Sequence, residues 1–142
     1  MSDPNCIFCK IANGKINARI IGQNDKAVAF LDANPLSIGH TLVIPKSHYE
    51  KIQEMNSEYS SAVFGLLWQV SSAVEKATGV NASTIAIHNG REAGQEVPHV
   101  HVHIIPRNTD DGAGPIHSLF KTRPVPNPEE MDFICDRIKR IL

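Results

Sequence analysis

The stretch Pro98-His99-Val100-His101-Val102-His103-Ile104-Ile105-Pro106 decides the fold of this chain. Its histidines alternate with valines, which is the period of a β-strand, so the three imidazoles should share one face of the strand. Neighbouring rings would then lie roughly 7 Å apart and the outer two roughly 13 Å apart. Because zinc–ligand bonds are only about 2.1 Å long, one straight strand would hardly close three rings around an ion. The pattern favours a row of nucleophilic and acid–base groups that face an anionic substrate.

The composition of the 142-residue chain is that of an ordinary soluble globular protein, with 42% hydrophobic and 20% charged residues. Its length predicts one domain with a proper core. Lys and Arg total 14 against 15 Asp and Glu, so no overall positive field would recruit nucleic acid or an anionic membrane. The N-terminus lacks a signal-peptide pattern, and no apolar run approaches the ~20 residues that span a bilayer. With an odd count of three cysteines, the sequence predicts a cytoplasmic protein, or also a nuclear one if the source is eukaryotic.

Hydrophobic periodicity and turn residues predict an α+β fold. Short strands are expected at 19–21, 27–31, 41–44, 83–89 and along the histidine stretch. One long helix should begin after Asn56 and end at Gly79, with a short helical turn at 6–11 and a final helix from Pro128. Because the strands follow one another through short turns, the sheet should be antiparallel with about five strands. The final helix should bury one side, formed by Phe133, Ile134, Ile138 and Ile141 together with Cys135 as a small core residue.

Three imidazoles on one face are hard to explain by packing alone. Imidazole titrates near pH 6.5, so at neutral pH one ring can act as a nucleophile while a neighbour donates a proton. Histidine can also carry a covalent intermediate, which divides one difficult displacement into two easier ones. The preceding loop adds Gly90 and Gly94, whose backbone N–H groups can approach a phosphate, and the neutral donor Gln95. Glycines are also common in ordinary turns between strands, so this loop alone leaves both interpretations open.

These residues carry a resemblance to a known family. Gly90-x-x-Ala93-Gly94-Gln95-x-Val97-x-His99-x-His101-x-His103-x-x-Pro106 is similar to the signature of the histidine-triad (HIT) family. Further matches follow the family's order: Cys6-Ile7-Phe8-Cys9-Lys10-Ile11, Phe30-Leu31-Asp32, and Gly39-His40-Thr41-Leu42-Val43-Ile44-Pro45-Lys46-x-His48. The resemblance covers residues 6–107 and is nearest to the Hint-like branch of purine-nucleotide phosphoramidases. It implies a single HIT domain over residues 1–142, with a divergent C-terminal extension at 108–142.

The resemblance implies a nucleotide hydrolase that cleaves purine nucleoside phosphoramidates or acyl-nucleotides at the α-phosphate. His101 would be the nucleophile and become a nucleotidyl-histidine, and His99 and His103 would complete the catalytic set. His103 and Gln95 would hold the non-bridging phosphate oxygens, where charge develops in the transition state. Asp32 would bind the ribose hydroxyls. The implied nucleotide-binding set is Ile7, Phe8, Ile11, Phe30, Asp32, Ala33, His88, Asn89, Gly94, Gln95, Val97, His101 and His103.

The pair Cys6-x-x-Cys9 has several possible functions from the residues alone. It could be a redox dithiol, although no thioredoxin-like βαβ unit surrounds it, or two buried thiols without a metal. It could also supply half of a Cys2His2 zinc site. The resemblance implies that His48 and His99 complete such a site, which would be structural and would fix the N-terminal turn against the histidine strand. No catalytic cofactor is implied.

Three positions depart from the Hint-like pattern. His88 stands where these proteins usually have an asparagine, and Glu96 stands where a small hydroxyl residue often donates to the phosphate. A carboxylate at that position would repel a phosphate unless it turned away or were protonated. Trp68 is the only tryptophan and lies in the long helix, so the C-terminal tryptophan of animal Hint proteins is absent. These differences concern substrate preference more than reaction type.

Two other functions remain open. One is a dinucleoside polyphosphate hydrolase, as in the neighbouring fragile-histidine-triad branch. The other is a nucleotide-binding or zinc-dependent interaction protein with weak residual hydrolysis. The expected ligand in each case is a purine nucleotide, and no nucleic-acid or membrane partner is expected. The resemblance also implies a homodimer in which the sheets of two subunits join.

Overall fold

The structure is a computed structural model that describes residues 1–142. The chain divides into two compact units, Met1–Asp111 and Gly112–Leu142. The helices and strands are, in chain order, α1 (Ile7–Ala12), β1 (Ile20–Gln23), β2 (Ala27–Leu31), β3 (Thr41–Pro45), α2 (Ser57–Thr78), β4 (Ala82–Ala86), β5 (Val102–Arg107) and α3 (Pro128–Ile141). None of the helices is long and apolar enough to cross a membrane.

The first unit is built on one antiparallel sheet of five strands in the order β1-β2-β3-β5-β4. The α+β class, the strand number and the antiparallel pairing predicted from the sequence are therefore confirmed. The last strand in the chain, β5, is inserted between β3 and β4, with Leu42 opposite His103 on one side and Ala86 opposite His103 on the other. This position places the end of the histidine stretch on an interior strand of the sheet.

Alternation along the strands gives the sheet two different buried faces. One face packs under α2, where Val43 and Ile104 belong to the same buried cluster as Val63 and Leu66 of the helix. The opposite face joins the side chains of α1 to β2 and β3 in a second cluster: Cys6, Phe8, Cys9, Ile11, Val28, Phe30, Leu42 and Ile44. Full burial of one such aliphatic or aromatic side chain stabilises the fold by about 1.5–3 kcal/mol.

The ends of α2 are fixed by local sequence. The side chain of Asn56 accepts a hydrogen bond from the backbone N–H of Tyr59, which caps the first turn. Gly79 ends the helix at φ +71°, a left-handed conformation that glycine adopts without steric cost, and its N–H bonds back to Glu75 and Lys76. The long helix therefore lies where the sequence predicts it.

The histidine stretch is only partly a strand, which corrects the predicted boundary. β5 begins at Val102, so His99 and His101 lie in the extended segment before it. Pro98 has no N–H to donate, and the N–H of Val100 bonds to the carbonyl of Tyr49 instead of a neighbouring strand. Similarly, β4 ends at Ala86 rather than at 89, because the segment after it turns toward residues 52–53.

The second unit contains a short 3₁₀ turn at Ile116–Leu119 and helix α3, which Asn127 caps at its N-terminus. The predicted helix is present, but its predicted buried side is not. Phe133, Ile134, Ile138 and Ile141 are exposed, and so is Cys135, which the sequence analysis wrongly placed in a core. The buried clusters of the protein contain no residue of this unit, so an amphipathic pattern was mistaken for packing within the chain.

Candidate active site

Four rings converge where the chain enters β5. The ring centroids of His101 and His103 are 5.0 Å apart, at an interplanar angle of 62°. Phe8 of α1 packs against two of the histidines, with its ring centroid 5.0 Å from that of His101 and 5.9 Å from that of His99. The intervening valines belong to the cluster under α2, so the imidazoles lie on the opposite face, as the alternation predicts.

The protonation of His101 follows from its hydrogen bond. Its Nδ1 lies 2.7 Å from the backbone oxygen of His99. A carbonyl oxygen only accepts, so Nδ1 carries the proton and the lone pair of the neutral ring is on Nε2. The side chain is only 7% exposed, and this burial lowers the pKa of His101 from its ordinary value. His101 is therefore neutral at neutral pH, with Nε2 available as a nucleophile.

In His103, a chain of hydrogen bonds places the proton on Nε2 rather than on Nδ1. The backbone N–H of Leu36 donates to Nδ1 of His40 at 3.1 Å, so the proton of the neutral His40 ring is on Nε2. That nitrogen lies 2.9 Å from Nδ1 of His103 and donates to it, which places the proton of His103 on its own Nε2. This Nε2 is buried and has no hydrogen-bond partner in the chain. Its N–H is thus a free donor suited to an anionic oxygen.

Burial is the main cause of the low basicity of these rings. It lowers the pKa of His103 to about 4, and the charges of His101, His40 and His88 act in the same direction. It also lowers the pKa of His40, against the attraction of Asp32, whose Oδ2 lies 3.7 Å from Nδ1 of His40. The hydrogen-bond chain therefore operates between neutral imidazoles at neutral pH.

The low pKa of His103 makes stability depend on pH. Between pH 6.5 and about 4 the unfolded chain binds a proton at this ring that the folded chain does not. The free energy of unfolding should therefore fall as the pH is lowered through this range, by no more than about 3 kcal/mol from this group, because solvent that reaches the half-buried ring weakens the effect. Urea unfolding at several pH values should show a shallower dependence for His103→Asn than for the wild type. His117→Asn, at an exposed position, is the control; equal slopes for His103→Asn and the wild type would contradict the assignment.

A second cluster of side chains, two cysteines and two histidines, lies beside His101 between α1 and the segment before β5. Sγ of Cys6 and Sγ of Cys9 lie 3.4 and 3.5 Å from Nδ1 of His99, and Sγ of Cys9 lies 3.4 Å from Nδ1 of His48. All four donor atoms are within 4.8 Å of one another. Around a tetrahedral zinc ion, with bonds of about 2.3 Å to sulfur and about 2.0 Å to nitrogen, such atoms would be about 3.5 Å apart. The spacing of the four donors fits that geometry.

The orientation of His99 suits a metal ligand. Its Nε2 lies 2.8 Å from the backbone oxygen of Pro45 and donates to it, so the lone pair is on Nδ1, which faces the two sulfurs. Burial lowers the pKa of His99 to about 4 and raises the pKa of the Cys6 thiol, so both groups are uncharged without an ion. The ring of His99 thus belongs to the cysteine cluster, and its backbone oxygen orients His101.

Asp32, His40 and His103 also bring possible ligand atoms within 4.8 Å of one another. Both nitrogens of His40 and Nδ1 of His103 are, however, used in the hydrogen-bond chain, since Leu36 donates to one nitrogen of His40 and His40 donates to His103 with the other. Oδ1 of Asp32 accepts from the backbone N–H of Asn34 at 2.8 Å. We interpret this group as a hydrogen-bonded network rather than a metal site.

Two of the residues that are predicted to bind the nucleotide form hydrogen bonds within the chain. Gln95 is buried; its Oε1 accepts from the N–H of Gly90 at 3.0 Å and its Nε2 donates to the oxygen of Glu50 at 2.8 Å. Asn89 accepts from the N–H of Ile52 and donates to the side chain of Gln53. Both amides therefore hold the loop that precedes the histidines, which leaves each with at most one unused N–H.

The remaining predicted residues surround the histidines to different degrees. Phe8, Ile11 and Phe30 are buried in one cluster, and Val97 packs against it. Ile7 is 48% exposed, Ala33 is exposed and Asp32 is half-buried, so these three can meet a ligand from solvent. The exposed ring of His88 has its centroid 5.6 Å from that of His103. Gly94, at φ +97°, adopts a backbone conformation that other residues rarely tolerate, and the Nδ1 of His88 lies beside it.

The sequence predicts a structural or supporting function for His40 rather than a catalytic one, and its hydrogen bond to His103 agrees with this. The identity of its partner could not be predicted. Its relation to His103 arises from the pairing of β3 with β5, which places Leu42 opposite His103. Only knowledge of that register could have shown that His40 and His103 share a hydrogen bond.

Comparison with known proteins agrees with this geometry. Residues 13–110 match the HIT domain family. The chain is 41% identical over 111 residues to an adenosine 5'-monophosphoramidase of Schizosaccharomyces pombe, covering 78% of this chain and 80% of that protein. It is 39% identical over 107 residues to an adenylylsulfatase of Arabidopsis thaliana, covering 75% of this chain and 54% of that protein. The crystal structure of a HIT family member from Bacillus subtilis gives a TM-score of 0.87 at 36% identity, covering 97% of each chain. This chain therefore belongs to the HIT family.

Proposed function

We propose that this protein is a nucleotide hydrolase that cleaves purine nucleoside 5'-phosphoramidates or acyl-nucleotides and releases the nucleoside monophosphate. The observation that carries the proposal is a pair of adjacent neutral imidazoles with opposite protonation. His101 has its lone pair on Nε2, and His103 has its N–H on Nε2. The similarity to an adenosine 5'-monophosphoramidase and an adenylylsulfatase supports an adenylyl substrate.

The reaction would proceed by two displacements at phosphorus. In the first, Nε2 of His101 bonds to the α-phosphorus and the bond to the leaving group breaks. An amine leaving group takes up a proton from water as it departs, whereas the carboxylate of an acyl-nucleotide leaves as the anion. In the second, water attacks the nucleotidyl-histidine and His101 is released. The N–H of His103 would donate to a non-bridging oxygen, where charge develops. Because the charge spreads over these oxygens, a donor fixed in advance stabilises the transition state more than the bound substrate.

The function is tested by the products and by the choice of substrate. The wild-type protein should convert adenosine 5'-phosphoramidate to AMP and ammonia, measured by chromatography or phosphorus NMR. The same preparation should hydrolyse a diadenosine polyphosphate with a lower kcat/KM. A higher value for the dinucleotide would move the assignment to a dinucleoside polyphosphate hydrolase, and no turnover of either compound would leave only nucleotide binding.

Asp32 should distinguish ligands by their ribose hydroxyls. It follows β2 directly, is half-buried and accepts one hydrogen bond from the chain, at Oδ1, which leaves Oδ2 available to a ribose hydroxyl. Asp32→Ala should weaken AMP binding about tenfold, since a hydrogen bond to a charged acceptor contributes about 1.5 kcal/mol or more. Calorimetry with AMP and with 2',3'-dideoxy-AMP provides the comparison. The variant should bind the two ligands equally well, whereas an undiminished preference for AMP would disprove the function of Asp32.

For the cysteine–histidine cluster, the metal that its donors fit best is zinc. Two sulfur and two imidazole ligands form a closed set with no open position, which is typical of a structural rather than a catalytic site. Such an ion would be held by Cys6, Cys9, His48 and His99. When bound, it would supply the positive charge that keeps the two thiols deprotonated, and it would fix α1 against the segment that carries His101.

A homodimer is the arrangement that the exposed apolar residues of the first unit support. Phe64 and Trp68 on α2 are 39% and 84% exposed, and Ile85 on the edge strand β4 is 49% exposed. Large aromatic residues of this kind are enriched in protein interfaces. An edge strand also offers unpaired backbone groups to a second sheet. These features favour association through α2 and β4.

A further inference from the structure

One oxygen of Asp32 faces the hydrogen-bond chain that ends at His103. Oδ1 of Asp32 accepts from the backbone N–H of Asn34, whereas Oδ2 makes no hydrogen bond within the chain. Oδ2 is also the oxygen that lies 3.7 Å from Nδ1 of His40, and the other nitrogen of that ring is bonded to His103. The carboxylate oxygen that is available to a ribose hydroxyl is therefore the one nearest to the ring that orients His103.

Two groups compete for Nδ1 of His40, and they require opposite positions of the ring proton. The backbone N–H of Leu36 donates to Nδ1 at 3.1 Å, which requires a lone pair on that nitrogen. The carboxylate of Asp32 only accepts, so it favours a proton on the same nitrogen. Burial lowers the pKa of His40, so the ring holds a single proton at neutral pH. The competition therefore concerns the position of that proton and not the charge of the ring.

The position of this proton decides what His103 offers to a substrate. With a lone pair on Nδ1, His40 donates through Nε2 to Nδ1 of His103 across 2.9 Å, and the proton of His103 is on its buried Nε2. With a proton on Nδ1 of His40, the bond between the rings reverses, and Nε2 of His103 holds a lone pair. Each ring keeps one proton in both arrangements. Only the first arrangement offers a donor to an anionic phosphate oxygen, and the second would repel it.

The advantages of the two arrangements oppose each other. The hydrogen bond from Leu36 is already formed, but both of its partners are neutral. A hydrogen bond from His40 to Asp32 would be charge-assisted and roughly twice as strong. At 3.7 Å, however, it forms only after the carboxylate moves closer, and the Asp32 side chain is 21% exposed, so water competes for it. The two arrangements are therefore close enough in free energy for a ligand at Oδ2 to decide between them.

We propose that the ribose of the substrate sets the position of the proton on His103 through Asp32 and His40, which makes turnover specific for ribonucleotides. A ribose hydroxyl that donates to Oδ2 occupies the carboxylate and weakens its attraction for a proton on Nδ1 of His40. The bond from Leu36 then prevails, and His103 presents its N–H. Asp32 and His40 thus act as positioning residues that affect kcat as well as binding. This inference rests on the proposed hydrolase function and on the assignment of Asp32 to the ribose.

The kinetic test compares adenosine 5'-phosphoramidate with its 2',3'-dideoxy analogue. In the wild type, kcat should be about threefold lower for the analogue, because part of the complex holds the reversed arrangement. In Asp32→Ala, kcat should be the same for both compounds, since no carboxylate opposes the bond from Leu36. At saturation the variant should therefore hydrolyse the analogue faster than the wild type does. Asp25→Asn removes an exposed carboxylate between β1 and β2, and as the control it should keep the wild-type ratio.

Nitrogen-15 NMR of the histidine rings tests the coupling without turnover and without a phosphate. Ring nitrogens with and without a proton give well-separated signals, and exchange between two arrangements gives an intermediate position. Saturating adenosine should move the Nε2 signal of His103 toward the protonated position, whereas 2',3'-dideoxyadenosine should not. Asp32→Ala should show the protonated position without a ligand. The signal is assigned by its absence from His103→Asn.

The outcomes separate this inference from the function on which it rests. Equal kcat values for the two substrates in the wild type, or an unchanged ratio in Asp32→Ala, would overturn the coupling and leave the hydrolase function intact. An equal response of the His103 signal to the two nucleosides would also overturn it. Loss of the ratio in Asp25→Asn would attribute the effect to general charge and would count against the proposal as well. If neither phosphoramidate is hydrolysed, the proposed function fails, and the NMR comparison still decides whether ribose sets the proton on His103.

Discussion

Replacement of His101 by alanine should lower kcat for adenosine 5'-phosphoramidate by about ten-thousand-fold or more, because no other group can form the covalent intermediate. Its Nε2 is the nitrogen with the lone pair, and the neighbouring His103 presents a proton instead. Intact-mass spectrometry after brief mixing with the substrate should show one added nucleotidyl group on the wild type and none on the variant. Single-turnover kinetics should show the same loss in rate.

His117→Ala provides a matched control, since His117 is an exposed histidine of the second unit. It should keep full turnover and form the adduct. AMP affinity of His101→Ala should change much less than kcat, because one of many nucleotide contacts is lost. Substantial turnover by His101→Ala would exclude it as the nucleophile. Tight nucleotide binding by a wild type that shows neither adduct nor turnover would favour the binding-protein alternative.

Removal of the metal from the cysteine–histidine cluster should lower the unfolding temperature by about 10 °C or more. An ion present at about a thousand times its dissociation constant stabilises the folded state by about 4 kcal/mol. For a domain of this size, each kcal/mol corresponds to roughly 3–4 °C. Metal analysis of protein purified without chelator should find one zinc per chain. Thermal unfolding with and without a strong chelator would measure the shift.

The double variant Cys6→Ser, Cys9→Ser should bind no zinc, unfold at the temperature of the chelated protein and no longer respond to the chelator. Cys135→Ser removes an exposed thiol of the second unit and should behave as the wild type. Protein that contains no zinc, and whose unfolding temperature is unaffected by chelator, would show that Cys6 and Cys9 are simply buried thiols.

Much of the first unit could be predicted because its signals are local. The alternation around His101 defines which side chains share a face, and the capping residues Asn56 and Gly79 define the ends of α2. The start of β5 could not be predicted, because the alternating side-chain pattern continues through residues 98–101. The backbone hydrogen bonds of that segment are not made to a neighbouring strand. A sequence pattern reports side-chain direction, but it does not report which backbone groups are paired.

The site was less predictable where it depends on distant partners. The sequence predicts that Gln95 holds a phosphate oxygen, and this stays a prediction. The bonds of its amide to Gly90 and Glu50 are indicated by no local pattern. In α3, the periodic apolar residues predicted the helix correctly. They gave no information on whether the chain itself would cover them, which depends on tertiary packing.

The insertion of β5 between β3 and β4 has a consequence for how the protein folds. Until residues 102–107 are in place, β4 has no neighbour, and the sheet consists only of β1, β2 and β3. The chain must close a loop of more than fifty residues between β3 and β5 before their pairing is formed, an entropic cost that slows folding. Because the same strand carries His103, sheet completion and assembly of the histidine site are one event. During synthesis or refolding, activity should therefore be regained together with the last protected amides of the sheet.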